Sequence, residues 1–184
     1  MMAGFNIPAE LRNDKLRLSL LKEGDFDLLY QVAADPLVWE QHPCKDRYKE
    51  EVFRLFFEEA LRSASAYAIF NAHTGELIGS TRFYDLDKEH AQVAIGYTFF
   101  ARKYWGGVYN GAVKRLMLDH AFRFADEVLF HVGADNIRSQ KAVLRLGAEK
   151  TKEFERDANG TKTSHYEYCL GKEAWLNRTA GITI

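Results

Sequence analysis

The sequence predicts an α/β (α+β) fold built on a mixed central sheet, and three stretches carry that reading. Gln92 to Phe100 (QVAIGYTFF) alternates, with Val93, Ile95, Tyr97 and Phe99 on one face and Ala94, Gly96, Thr98 and Phe100 on the other, as a strand does. Beyond Gly106 and Gly107, Val113, Leu116, Met117, His120, Ala121 and Phe124 recur at helical spacing and mark a packed face. Val128 to Val132 (VLFHV) then lacks polar alternation, as a strand covered on both faces does, and a second helix runs from a cap at Asn136 to Gly147 in the C′ position. Parallel neighbours joined by such a crossover put both helix starts on one side of the sheet, where open α/β sheets bind ligands.

Taken in order, the chain fits one domain spanning residues 1–184. At this size about 70% of the unfolded chain's surface can be buried. The start, MMAGFNIPAELRND, lacks the basic region and apolar core of a signal peptide, and no apolar run approaches the ~20 residues that span a bilayer. Two cysteines, Cys44 and Cys169, are too few and too far apart for a disulfide framework, so a cytoplasmic protein with no membrane partner is expected. A net charge of −1 argues against a nucleic-acid partner.

Leu16 to Leu21 alternates as a first strand. Asp25 then caps a helix that Pro36 stops. A second helix shows Val52, Leu55, Phe56, Glu59 and Ala60 on one face, with Phe53 and Phe57 beside it. AYAIF, the turn HTGE and LIGSTRFYDLD read as an antiparallel hairpin, and Asn159-Gly160 as the turn of another, between EKTKEFER and TSHYEYCL. The tail from Gly171, with Trp175, packs on the domain or on a second subunit, which leaves a homodimer open. A His42-x-Cys44 metal site lacks further ligands at suitable spacing, so no metal is expected.

The chemistry gathers at the two helix starts. Lys114 and Arg115 lie where the helix dipole disfavours cations by roughly 0.3–1 kcal/mol each, and a bound anion would offset that. Free amides at a helix start, behind a glycine turn, form a phosphate cradle, and here Asn110 is the expected cap. On the second helix Arg138, Lys141 and Arg145 form a basic stripe. Each feature alone also fits an ordinary turn and a solvated face, and it is their juxtaposition that favours a ligand.

YWGGVYN before the first helix and NIRSQKAVLRLGA one crossover later resemble the GNAT superfamily of acetyl-CoA-dependent N-acetyltransferases. Within it they are similar to the branch of the ribosomal-protein N-terminal (Rim-type) enzymes, over about Leu16 to Leu170. The resemblance implies a GNAT fold of six to seven strands with splayed parallel central strands. It also implies acetyl-CoA as donor and an amine acceptor, a small molecule or a protein N-terminus. The coenzyme is expected on Phe99, Phe100, Ala101, Trp105, Gly106, Gly107, Val108, Tyr109, Asn110, Gly111, Asn136, Ser139 and Lys141. In this branch the Ser139 position serves the departing thiolate; Val143 stands where the superfamily often has a tyrosine. Trp39 and Tyr97, with His42, Phe53 and Phe57, are candidates to meet the acceptor.

Two departures accompany the match. Trp105, Val108 and Asn110 replace the usual phosphate-loop residues, and Ala94 stands where the branch often places a glutamate base, which leaves His90, Asp85, Asp87 or a water for that role. They sustain a second reading, a non-catalytic acyl-CoA-binding or interaction module. A nucleotide phosphohydrolase is disfavoured, since no Gly-Lys-Ser/Thr follows the turn.

Overall fold

The computed structural model describes residues 4–158 and 161–180. Its strands are β1 (Glu10–Arg12), β2 (Leu16–Leu20), β3 (Ala66–Asn71), β4 (Leu77–Asp87), β5 (Gln92–Phe100), β6 (Glu127–Gly133), β7 (Glu149–Ala158) and β8 (Thr161–Gly171). Its helices are α1 (Phe26–Ala33), α2 (Glu50–Arg62), α3 (Tyr109–Ala121), α4 (Ile137–Arg145) and α5 (Lys172–Ala180). One sheet results, in the order β1-β2-β3-β4-β5-β6-β8-β7, and among the described residues only β5 and β6 run parallel.

The mixed sheet matches expectation but holds eight strands rather than six to seven. The additional one, β1, is three residues long, too short to show a period, and pairs with β2 at the sheet edge. The predicted Asn159-Gly160 turn lies outside the described residues, although the strands on either side pair as a hairpin. β8 enters the sheet between β6 and β7, an order that hairpin pairing alone does not dictate.

Apolar side chains divide between two faces. Leu16, Ile69, Val93 and Ile95 pack with Val113 and Met117 of α3 and with Trp175 of α5, so the tail folds onto its own domain. On the other face Leu29, Trp39, Phe53, Phe56 and Phe57 pack around Phe99. The buried face of α2 is therefore Phe53, Phe56, Phe57 and Ala60, whereas Leu55, expected inside, is 68% exposed. An aromatic cluster on the sheet selects the ring-bearing stripe over its aliphatic neighbour.

Two irregularities prepare the site. Ser80 pairs with Phe99 and Arg82 with Gly96, so Tyr97 and Thr98 oppose Thr81 alone, and Tyr97 adopts a φ of +53°. This bulge reverses the alternation: Val93 and Ile95 face α3, but beyond it Phe100 faces α3 and Phe99 turns to α2, contrary to the simple strand pattern. A second bulge at Asp85 and Leu86, with Asp85 at φ +47°, follows Tyr84.

Phe53 is wholly buried and touches the rings of Phe26, Tyr30, Phe56, Phe57 and Phe99. Phe53→Ala is expected to cost about 3–5 kcal/mol, read as a lower urea midpoint with an unchanged slope.

Candidate active site

β5 and β6 pair only at Gln92 with Glu127, Val93 with Val128 and Ala94 with Leu129. Beyond Ala94 they part, and the edge of β5 that faces β6 has no strand ladder on it. Such an edge accepts an extended ligand as an added strand. The gap opens into a cavity of about 520 Å³ between the heads of α3 and α4. Phe99, Phe100, Trp105, Gly106, Gly107, Val108, Asn110, Gly111, Asn136 and Ser139, all expected at the coenzyme, line it, together with Trp39.

The helix heads differ from each other. Asn136 caps α4 as predicted, its side-chain oxygen accepting from the Ser139 amide at 3.1 Å, and Gly147 ends that helix with φ +93°. Asn110 does not cap α3: the helix begins at Tyr109, and Val108 occupies the cap position without a side-chain cap, which leaves first-turn amides for a ligand. Arg138 and Arg145 line the cavity, and the Arg138 guanidinium lies 3.9 Å from the centre of the Trp105 ring. Lys141 is exposed and, like Ala101 and Tyr109, falls outside the lining; Tyr109 instead packs edge-on against Tyr104.

Lys114 also departs from expectation. It is buried, its amine donates to the Thr98 hydroxyl at 2.8 Å, and burial pushes its pKa down to about 7. It lines a smaller cavity of about 130 Å³ behind the strand gap, with Tyr97, Thr98, Phe130 and His131. Ser139, Asn136, Asn110 and His42 border both cavities, so Ser139 stands where the two meet. The His42 ring accepts from the Cys44 amide at 2.9 Å and lies beside Arg47, and burial holds its pKa down to about 3, so the ring is neutral and a weak base.

A polar cluster that the sequence did not announce lies on the other side of the gap. His131 is the cross-strand partner of Glu167, and the two side chains meet at 3.0 Å. The Tyr84 hydroxyl reaches the other ring nitrogen at 3.0 Å, and Arg156 approaches the same nitrogen at 3.1 Å. Gly96 makes this possible, since a Cβ there would lie 2.9 Å from the Tyr84 ring. The sequence hid His131 inside an apparently apolar run: only Val128, Phe130 and Val132 of β6 pack under α3, while Leu129 and His131 face a charged cleft. Of the bases considered, His90 and Asp87 pair with each other on an exposed turn, and Asp85 lies 4.0 Å from His131.

The model of the acetyltransferase (GNAT) domain matches residues 15–149. This chain belongs to the GNAT acetyltransferase family. No curated protein matches it. A protein from T. thermophilus assigned as an acetyltransferase superposes with a TM-score of 0.81 at 26% identity, covering 97% of this chain and 97% of that one. A GCN5-related N-acetyltransferase from Brucella melitensis gives 0.81 at 14% identity, over 93% and 83%. The spermidine N-acetyltransferase of Vibrio cholerae, solved with CoA and spermine, gives 0.68 at 16% identity, over 90% and 100%. The GNAT fold accounts for the α+β architecture and for the single parallel pair.

Burial of Lys114 has a consequence for stability. The unfolded chain holds that proton to about 10.4, whereas the folded chain releases it near 7. The unfolded state therefore binds more protons between those values, and stability rises with pH across that window. Lys114→Met is expected to remove most of that rise, measured by denaturant titration at pH 6.5 and pH 9.5.

Proposed function

We propose that this GNAT protein is an acetyl-CoA-dependent N-acetyltransferase of the Rim-type branch, moving the acetyl group to a primary amine by direct attack in a ternary complex. The observation that carries the reading is the meeting of the two cavities at Ser139, across the gap between β5 and β6. The residues fit a phosphorylated, thioester-bearing coenzyme: unpaired strand edge for its amides, α3 amides with Arg138 and Arg145 for its phosphates, and a widened strand gap for its thioester.

Acetyl-CoA supplies an activated carbonyl with a thiolate leaving group. The chain supplies the rest. Backbone amides around the Tyr97 bulge stabilise the oxyanion, and their fixed placement spares reorganisation during the reaction. The Ser139 hydroxyl, which makes no hydrogen bond among the described residues, is free to donate to the departing sulfur. Its amide already serves the Asn136 cap, so its orientation is set by the helix head. The acceptor is a primary amine on a small molecule or a protein N-terminus. Arg47 and Arg82, two cations beside the buried lining, favour a singly charged acceptor over a polycation.

Acetyl-CoA is expected to raise the melting temperature, and ATP with magnesium to leave it unmoved; at 100 times Kd the gain is about 2.7 kcal/mol. Arg138→Ala should weaken that shift. Ser139→Ala keeps the cap amide, so coenzyme binding persists while thiol release with a peptide α-amine falls about 100-fold. Binding of acetyl-CoA without thiol release from any amine would favour the interaction-module reading.

A further inference from the structure

We infer that His131 takes the proton given up by the acceptor amine, through the Tyr84 hydroxyl, with Glu167 holding the ring, and that the amine enters by the cleft between the β4–β5 turn and β7. This rests on the acetyl-transfer reading above. The cleft, about 850 Å³, lies across β6 from the coenzyme cavity. Among the described residues that line the cleft and the strand-gap cavity, His131 alone borders both. A proton leaving the gap for the cleft therefore passes His131.

The hydrogen bonds determine the tautomer. Arg156 has only donors to offer, so the Nδ1 atom it approaches at 3.1 Å carries a lone pair. Nε2 then bears the hydrogen and donates to Glu167 Oε2 at 3.0 Å. A base whose far nitrogen is pinned by a carboxylate is the arrangement that general-base histidines use elsewhere. Burial raises the Glu167 carboxyl, but hydrogen bonds from His131, Lys152 and Thr151 outweigh it and keep the group ionised.

Every element around the ring contributes a charge or a proton. Tyr84 and Asp85 come from β4, Arg156 and Lys152 from β7, and Glu167 and His165 from β8. Burial first, then Arg156, lowers the His131 pKa, against Glu167 and Asp85, so the ring is neutral at pH 7. Burial likewise raises the Tyr84 phenol, which therefore passes a proton along instead of losing one.

Protons and bonds balance. The acceptor ammonium gives one proton to the Tyr84 oxygen as Tyr84 gives its own to His131 Nδ1, and the neutral amine attacks the thioester carbonyl. The N–C bond forms and the C–S bond breaks. The second nitrogen proton reaches the thiolate through Ser139, and His131 returns its proton to solvent through the cleft. A weakened base suits a peptide α-ammonium, near 8, better than an alkylammonium, near 10.4.

The test measures thiol release from acetyl-CoA with three acceptors: a short peptide with a free α-amine, spermidine, and hydroxylamine, whose amine is largely neutral at pH 7. At saturating peptide, wild-type kcat is expected to fall on an acid limb with its midpoint below 6.5. His131→Gln should lose about 100-fold with peptide and lose the limb, while its rate with hydroxylamine changes only a few-fold and its acetyl-CoA melting shift is kept. Tyr84→Phe should show the same split between acceptors, and it keeps the question decidable if the glutamine variant misfolds. Equal losses with peptide and hydroxylamine in both variants, or an unchanged acid limb, would overturn the assignment. Release by the wild type with none of the three acceptors would overturn the transfer reading, and this assignment with it.

Discussion

The parting of β5 from β6 after Ala94 and Leu129 is the constraint on which the rest depends. Three residue pairs hold the strands together at one end, and at the other each keeps a partner only on its far side, β4 for β5 and β8 for β6. An unpaired interior edge is costly when dry, because each unmatched buried amide or carbonyl carries a desolvation penalty of about 1–3 kcal/mol. The fold tolerates it because the edge borders cavities rather than packed core. The bulge at Tyr97 adds to the opening, since it interrupts the β4 ladder at the level where β6 has turned away.

Around this gap the chain buries basic groups with few carboxylate partners. Lys114 meets a threonine hydroxyl and no carboxylate in its hydrogen bonding. Arg82 lies 4.2 Å from the Tyr97 ring and reaches Glu59 only at 3.5 Å, and its Nε and one Nη have no hydrogen-bond partner among the described residues. Arg47 stacks on Phe56 beside a histidine that burial keeps neutral. Fixed positive charge in a low-dielectric setting is expensive alone and becomes favourable when negative charge develops nearby, as on an oxyanion or a thiolate. The aromatic cluster on the α2 face supplies that dry setting.

Much of the fold was legible because local patterns and topology agreed. The Asn136 cap and the Gly147 terminus were readable, since each is set by one side chain or by one left-handed residue. Most of the lining of the cavity between the heads of α3 and α4 was likewise visible in YWGGVYN and NIRSQKAV, where chain neighbours stay neighbours in space. Lys114 misled because helical position gives a distance from the dipole but not a direction, and its side chain runs inward beneath the sheet. The Phe99 and Phe100 faces were exchanged because the bulge beside Gly96 inserts one residue, and the strand pattern does not say which.

By itself the sequence determined the class of fold and the capped head of α4, because those depend on periodicity and on residues within one turn of each other. Only the tertiary structure decided what stands opposite that cavity. His131 and Glu167 are 36 residues apart, and Tyr84 is 47 from His131. Their meeting follows from β8 entering beside β6 and from a glycine that lets a phenol cross β5. Strand order and register arise from the packing of the whole sheet, which no short stretch encodes.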